Sequence, residues 1–165
     1  MEEKIVIRNS TPKDVEAICA IAVQQWAIIY DGFKSQMGEE LYNIFYAGDP
    51  LKKKEEDVRA NANDFEHCLV TEVDGKVVAF AHFRTEKING ELVGVLGHNA
   101  VNSDYKGRGI AGKQYAAIFE KMKAMGCIAV KVQTGLDDGH APARRAYEKA
   151  GFEKNLPNVV YYKKL

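Results

Sequence analysis

Lys106-Gly107-Arg108-Gly109-Ile110-Ala111-Gly112 is the stretch of this sequence whose residue types and spacing could most readily do chemistry. It stands between an apolar run ending at Val101 and a helical pattern beginning at Ile110. A strand-to-helix turn presents free backbone N–H groups and the positive end of a helix dipole, which together bind anions. Glycines let that backbone approach a phosphate closely. Lys106, Arg108 and Lys113 add positive charge at a helix start, where the dipole disfavours it unless an anion is present. A connection that merely turns the chain is the plainer alternative. Gly107, Gly109 and Gly112 formally satisfy G-x-G-x-x-G. A dinucleotide fold, however, places an acidic residue about 20 positions on, and Val130-Lys131-Val132-Gln133 offers none. No Gly-Lys-Ser or Gly-Lys-Thr follows, which excludes a Walker A loop.

A second segment, Ala143-Arg144-Arg145-Ala146-Tyr147-Glu148-Lys149-Ala150-Gly151-Phe152, lies downstream. With both segments in this order, the sequence resembles the GNAT superfamily of acetyl-CoA-dependent N-acetyltransferases. That family's Gln/Arg-x-x-Gly-x-Gly/Ala signature is matched at Lys106, Gly109 and Ala111, with lysine replacing the usual first residue, and its Ala-x-x-x-Tyr-Glu-Lys-x-Gly-Phe segment is matched from Ala143 to Phe152. The resemblance implies an α+β fold built on a mixed sheet: a three-stranded antiparallel meander, then a βαβ unit with a splayed parallel pair, with helices on both faces. It implies acetyl-CoA as co-substrate and no metal. The pyrophosphate would lie on Lys106, Gly107, Arg108, Gly109, Ile110, Ala111 and Gly112, and the pantetheine arm beside Ala100 and Val101, with His140 and Arg144 further cofactor contacts. His140 stands where the family often has asparagine.

The implied reaction is direct attack of a primary amine of a small molecule or peptide on the thioester. Aminolysis needs a neutral amine, a polarised carbonyl and an acid for the departing thiolate. Tyr147 matches the family's acid, a phenol with an ordinary pKa near 10. A core tyrosine at helical spacing is the alternative. Counting back from Val101 puts Asn99, Gly97 and Val95 on one strand face and His98 on the other, unless a bulge intervenes. His98 is then a candidate base, and Asn99 a group that could orient the acetyl or a water; His82, Glu72 and Glu86 are further bases. Trp26, Tyr30 and Phe33, with Asp31, would shape the acceptor site, Trp26 serving equally well as core packing. A non-catalytic acyl-CoA-binding module is the rival reading.

The elements that must position these groups follow from periodicity. A strand at Lys4–Arg8 precedes Thr11-Pro12-Lys13-Asp14, a helix-start pattern, and Val15, Ile18, Ala22, Trp26 and Ile29 recur at helical spacing. That first helix is expected to end in a loop carrying Asp31 and Phe33. Two shorter helices follow, one with Leu41, Ile44 and Phe45 and one opened by Asp49-Pro50. Cys68–Val73 and Lys76–Phe83 alternate as strands about Asp74-Gly75, a hairpin dipeptide, and Asn89-Gly90 repeats the signal before Glu91–Val101. A helix with Ile110, Tyr115, Ile118, Phe119, Met122 and Met125 on one face ends at Gly126. Cys127–Thr134 then reads as a strand parallel to Leu92–Val101, followed by a helix to Gly151 and a terminal strand at Val159–Lys163.

Length and composition bound the rest. The 165 residues, 46% apolar and 28% charged, suit one globular domain spanning 1–165. Twenty-three basic residues balance twenty-three acidic ones, so no global field favours nucleic acid, polyanions or a membrane surface. The longest apolar run, Ala17–Val23, is too short to span a bilayer, and no signal pattern opens the chain. A cytoplasmic protein acting on small amines is expected, with a homodimer compatible. Cys19, Cys68 and Cys127 are odd in number and far apart, as reduced core thiols would be. None has a neighbour that would activate it as a nucleophile.

Overall fold

The computed structural model describes residues 3–165. Five strands form one sheet in the order β1 (Ile5–Asn9), β2 (Cys68–Val73), β3 (Lys76–Ile88), β4 (Glu91–Val101) and β5 (Ala129–Val132). Each neighbouring pair from β1 to β4 is antiparallel, and β4 and β5 are parallel. The expected mixed sheet is therefore present, with β1 added to the meander. Asp74 and Asn89 take positive φ ahead of Gly75 and Gly90, the backbone that the two hairpin turns require.

Helices cover both faces. α1 (Val15–Met37), α2 (Glu39–Phe45) and α3 (Pro50–Ala62) come from the first third of the chain. Ile18, Ala22, Val58 and Ala62, all fully buried, pack on Val70 and Phe80. On the opposite face α4 (Ile110–Ala124) and α5 (Ala141–Lys149) bring Tyr115, Ile118, Met122 and Tyr147 against Leu69, Phe83 and Leu96. Among the described residues no helix is long and apolar enough to cross a membrane.

Three expectations need correction. α1 does not stop before Asp31: it runs through Gly32 and Phe33 to Met37 and ends where Gly38 turns to φ +79. One internal glycine costs about 1 kcal/mol in a helix, too little to break one whose buried face includes Ile18, Ala22 and Ile29. β5 is shorter than Cys127–Thr134, pairing only Ala129–Val132 with Val93–Leu96. Finally, Val159–Lys163 forms no strand: no regular secondary structure follows α5, and Val160 and Tyr161 are exposed. Its β-branched and aromatic residues raise strand propensity, but a strand also needs a partner edge. Its contacts are instead with α2, through Phe45 against Tyr162 and an ion pair of Lys164 with Glu40.

Cys19 and Cys68 are buried and Cys127 is partly buried, all as free thiols. Burial pushes the Cys68 thiol up to about 11, and raises that of Cys19. Neither is an activated nucleophile.

Candidate active site

A bulge in β4 makes the site. β3 and β4 pair as Ala81 with Asn99 and Phe83 with Leu96, so two residues of β4, Gly97 and His98, oppose His82 alone. The extra residue reverses the facing beyond it. Before the bulge, a Cβ at Gly94 would meet Met122 of α4, and Leu96 packs in the same core as Tyr115. After it, Asn99 faces that same side, bonded to Tyr115 and Tyr147. Asn99 thus shares its face with Leu96 rather than Val95, while His98 turns to the α1 and α3 side, as expected. The bulge also ends the parallel pairing: β4 beyond Leu96 has no β5 partner. The splay leaves the β5-side edge of Gly97–Val101 open, and a groove of about 980 Å³ runs through it.

Tyr147 stands on one wall of this groove. Its hydroxyl accepts a hydrogen bond from Asn99 Nδ2 at 3.0 Å and, among the described residues, donates to none. Asn99 is itself held: Nδ2 also donates to the Gly97 carbonyl at 3.0 Å, and Oδ1 accepts from the Tyr115 hydroxyl at 2.6 Å. With both amide protons committed, Asn99 fixes one lone pair of the phenol and leaves the phenolic proton free for the groove. In this arrangement Asn99 holds the Tyr147 hydroxyl. Burial raises the Tyr147 pKa, against the opposing effects of Asn99 and Tyr115, and burial also raises that of Tyr115. Tyr147 is therefore a neutral donor near neutral pH.

His98 is placed differently. Its Nε2 lies 3.1 Å from Lys54 Nζ, and its Nδ1 lies 2.7 Å from Asn61 Oδ1. An ammonium can only donate, so Nε2 accepts and the ring proton sits on Nδ1. Burial, then the Lys54 charge, push the His98 pKa down to about 4. An imidazole whose free lone pair is already taken, and whose basicity is this low, is a poor proton acceptor. The other suggested bases fare no better. His82 is buried and lowered by that burial, with Nε2 3.2 Å from Asp64. Glu72 pairs with Arg8, and Glu86 with Arg84 and Lys131.

The glycine loop takes the form expected of an anion cradle. Gly107 and Gly109 have φ of +78 and +74, and Gly109 is the N-cap of α4, so the first N–H groups of the helix are open. Nothing lies within 4 Å of a Cβ built at Gly107, Gly109 or Gly112, leaving room for a ligand at the backbone. Lys106, Gly107, Gly109, Ile110, Ala111 and Gly112 line the groove, as do Ala100, Val101 and His140. Burial lowers the Lys106 pKa, a penalty that a bound anion would offset.

Not every expected side chain reaches it. Arg108 turns away to Glu3 at 2.6 Å and lies over the Tyr105 ring. Arg144 donates to the carbonyls of Gly135 and Asp137, clamping the loop before α5. Arg145 and Lys149 line the groove instead. The helical spacing of Pro142, Arg145 and Lys149 carries that signal, one face away from the core stripe of Ala143, Tyr147 and Ala150. Trp26 lines the acceptor side, edge-on to His98 at 5.5 Å. Tyr30 and Phe33 belong to an aromatic cluster with Tyr46, Phe33 also stacking on His140.

The match to the acetyltransferase (GNAT) family covers residues 35–152, and the chain belongs to that family. No curated protein matches the sequence. Solved structures share the fold. An aminoglycoside N-acetyltransferase, AAC(6')-Iy in complex with CoA, has a TM-score of 0.68 at 18% identity over 100% of this chain and 98% of its own. A transcriptional regulator from Bacillus halodurans C-125 has a TM-score of 0.66 at 16% identity, covering 97% and 100%. Glucosamine-6-phosphate N-acetyltransferase from Arabidopsis thaliana has a TM-score of 0.60 at 19% identity, covering 98% and 100%.

Proposed function

We propose that this chain, as one domain, transfers the acetyl group of acetyl-CoA to a primary amine of a small molecule or peptide, by direct attack in a ternary complex. The single observation that carries the reading is the Asn99-held Tyr147 hydroxyl, with its proton uncommitted, on the wall of a groove that passes through the open β4–β5 gap. Acetyl-CoA supplies the activated acyl group as its thioester. The free N–H groups at the start of α4, with Lys106, Arg145 and Lys149, hold the phosphates. The unpaired edge at Ala100 and Val101 accepts the pantetheine amides. Tyr147 keeps a proton at its hydroxyl and donates it to the departing sulfur. With no base free beside His98, the amine enters neutral and its proton leaves through solvent.

Acetylation of small amines is what the names of two of these structural neighbours describe, which supports an acceptor of that kind. The test is release of CoA thiol from acetyl-CoA with a panel of primary amines, beside thermal stabilisation by CoA alone. Amine-dependent release supports the enzyme. Stabilisation by CoA without turnover of any amine would make the chain a binding module.

A further inference from the structure

Resting on that transferase reading, we propose that the acceptor carries an acidic group, a carboxylate or a phosphate, beside its amine, and that Lys54 recognises it together with the Asn61 amide. Lys54, on α3, does not itself line the groove but stands directly behind its wall, its Nζ 3.1 Å from His98 Nε2 and 5.3 Å from the centre of the Trp26 ring. His98, Trp26 and Asn61 all line the groove there. Among the described residues no carboxylate lies within ion-pair distance of Lys54, whereas Arg84, in the groove lining, is paired with Glu86. Asp57 is the acid whose charge Lys54 feels, without contact. A half-buried ammonium with only a neutral imidazole and an aromatic face as partners carries a desolvation penalty that a bound anion would offset. Burial lowers its pKa accordingly.

Asn61 adds a second donor. Its Oδ1 accepts from His98, and among the described residues its Nδ2 has no hydrogen-bond partner. Lys54 and Asn61 thus grip the two ring nitrogens of His98, and the imidazole acts as a spacer between two donors. Of the cations in the lining, Lys106, Arg145 and Lys149 are those that hold the phosphates and Arg84 pairs with Glu86, which leaves Lys54, among the described residues, as the unpaired cation beside the acceptor. A polycationic acceptor would find Asp138 as the one carboxylate in the lining among the described residues.

Matched acceptors test this: β-alanine against β-alaninamide, phosphoethanolamine against ethanolamine, and spermidine as a polycation. Each is measured by acetyl-CoA-dependent CoA release and by thermal stabilisation of the CoA-loaded protein. The acidic member of at least one pair should be preferred in kcat/KM by about tenfold to a hundredfold, as a charge-assisted hydrogen bond implies. The pair that shows the preference distinguishes carboxylate from phosphate. Lys54→Gln should collapse the preference chiefly through KM, and Lys54→Arg should retain most of it. Preference for the neutral members or for spermidine, or a preference that survives Lys54→Gln, overturns the proposal. Absence of turnover with every amine counts against the transferase reading instead. In that case stabilisation by the acidic probes, lost in Lys54→Gln, still supports the subsite, and its absence overturns it.

Discussion

Mild acid should destabilise this protein through His98 before its carboxylates titrate. The ring is partly buried between Lys54, Asn61 and Trp26, and its pKa is held at about 4 instead of the ordinary 6.5. Above about 6.5 the imidazole is neutral in both folded and unfolded chains, and its contribution to stability is complete. Between about 6.5 and 4 the unfolded chain binds the proton and the folded one does not, so stability falls with pH; below about 4 both bind it and the loss is finished. At about 1.36 kcal/mol per pH unit across that window, the loss approaches about 3 kcal/mol. This is a large part of the ordinary stability of a domain, about 5–15 kcal/mol. His82, also lowered by burial, acts in the same direction, so the comparison is with His98→Gln, which keeps a polar side chain that cannot titrate. Urea unfolding of both proteins between pH 7 and pH 4 should show the wild type losing about 3 kcal/mol more than the variant. Parallel curves would refute the reasoning, as would a His98 ring that titrates near its ordinary value by NMR.

Other perturbations have equally definite outcomes. Asp14, buried and bonded to Arg8, then to Thr11, is held at about 2, so its contribution is complete above its ordinary 3.8 and is lost as pH falls toward 2. Asp14→Asn should cost about 2 kcal/mol at neutral pH by urea unfolding and almost nothing near pH 2. CoA at 100 times its dissociation constant should stabilise the protein by about 2.7 kcal/mol, and a folded Gly109→Val protein, with a β-branched residue forced to φ +74 at the helix start, should lose that gain in calorimetry. Tyr115→Phe removes the 2.6 Å bond that fixes Asn99. It should lower kcat by about tenfold while leaving the acetyl-CoA KM in place, the pattern of an interaction that matters in the transition state.

The fold was legible where a local signal and a tertiary partner agreed. Asp74-Gly75 and Asn89-Gly90 located two hairpins because their positive φ angles are a local requirement. Gly126 and Gly151 marked helix ends for the same reason. The terminal strand at Val159–Lys163 failed because a strand needs a partner edge, which residue types do not report. The end of α1 was not legible in the residue types, since the helix continues beyond Ile29, its last buried residue, through Gly32 to Met37. At the site, Tyr147, Asn99 and the glycine loop were legible as residue types in the right order. The bulge at Gly97 and His98 could be anticipated but not placed, because it arises from pairing with β3. Tyr115 was legible only as a core residue, although a hydroxyl on an otherwise apolar helix face signals that a polar partner must be found. Lys54 was hidden because α3 offers many lysines of identical appearance, and only the approach of His98 distinguishes this one.

The most direct measurement of the central claim is steady-state acetyl transfer by Tyr147→Phe beside calorimetric binding of acetyl-CoA. The substitution removes one oxygen, its proton and the bond from Asn99, and keeps the ring that packs against Tyr115 and Phe152. If Tyr147 protonates the leaving thiolate, kcat falls by about 10²- to 10⁴-fold while acetyl-CoA affinity stays within about threefold. A variant that turns over at close to the wild-type rate would contradict the account and return Tyr147 to the core.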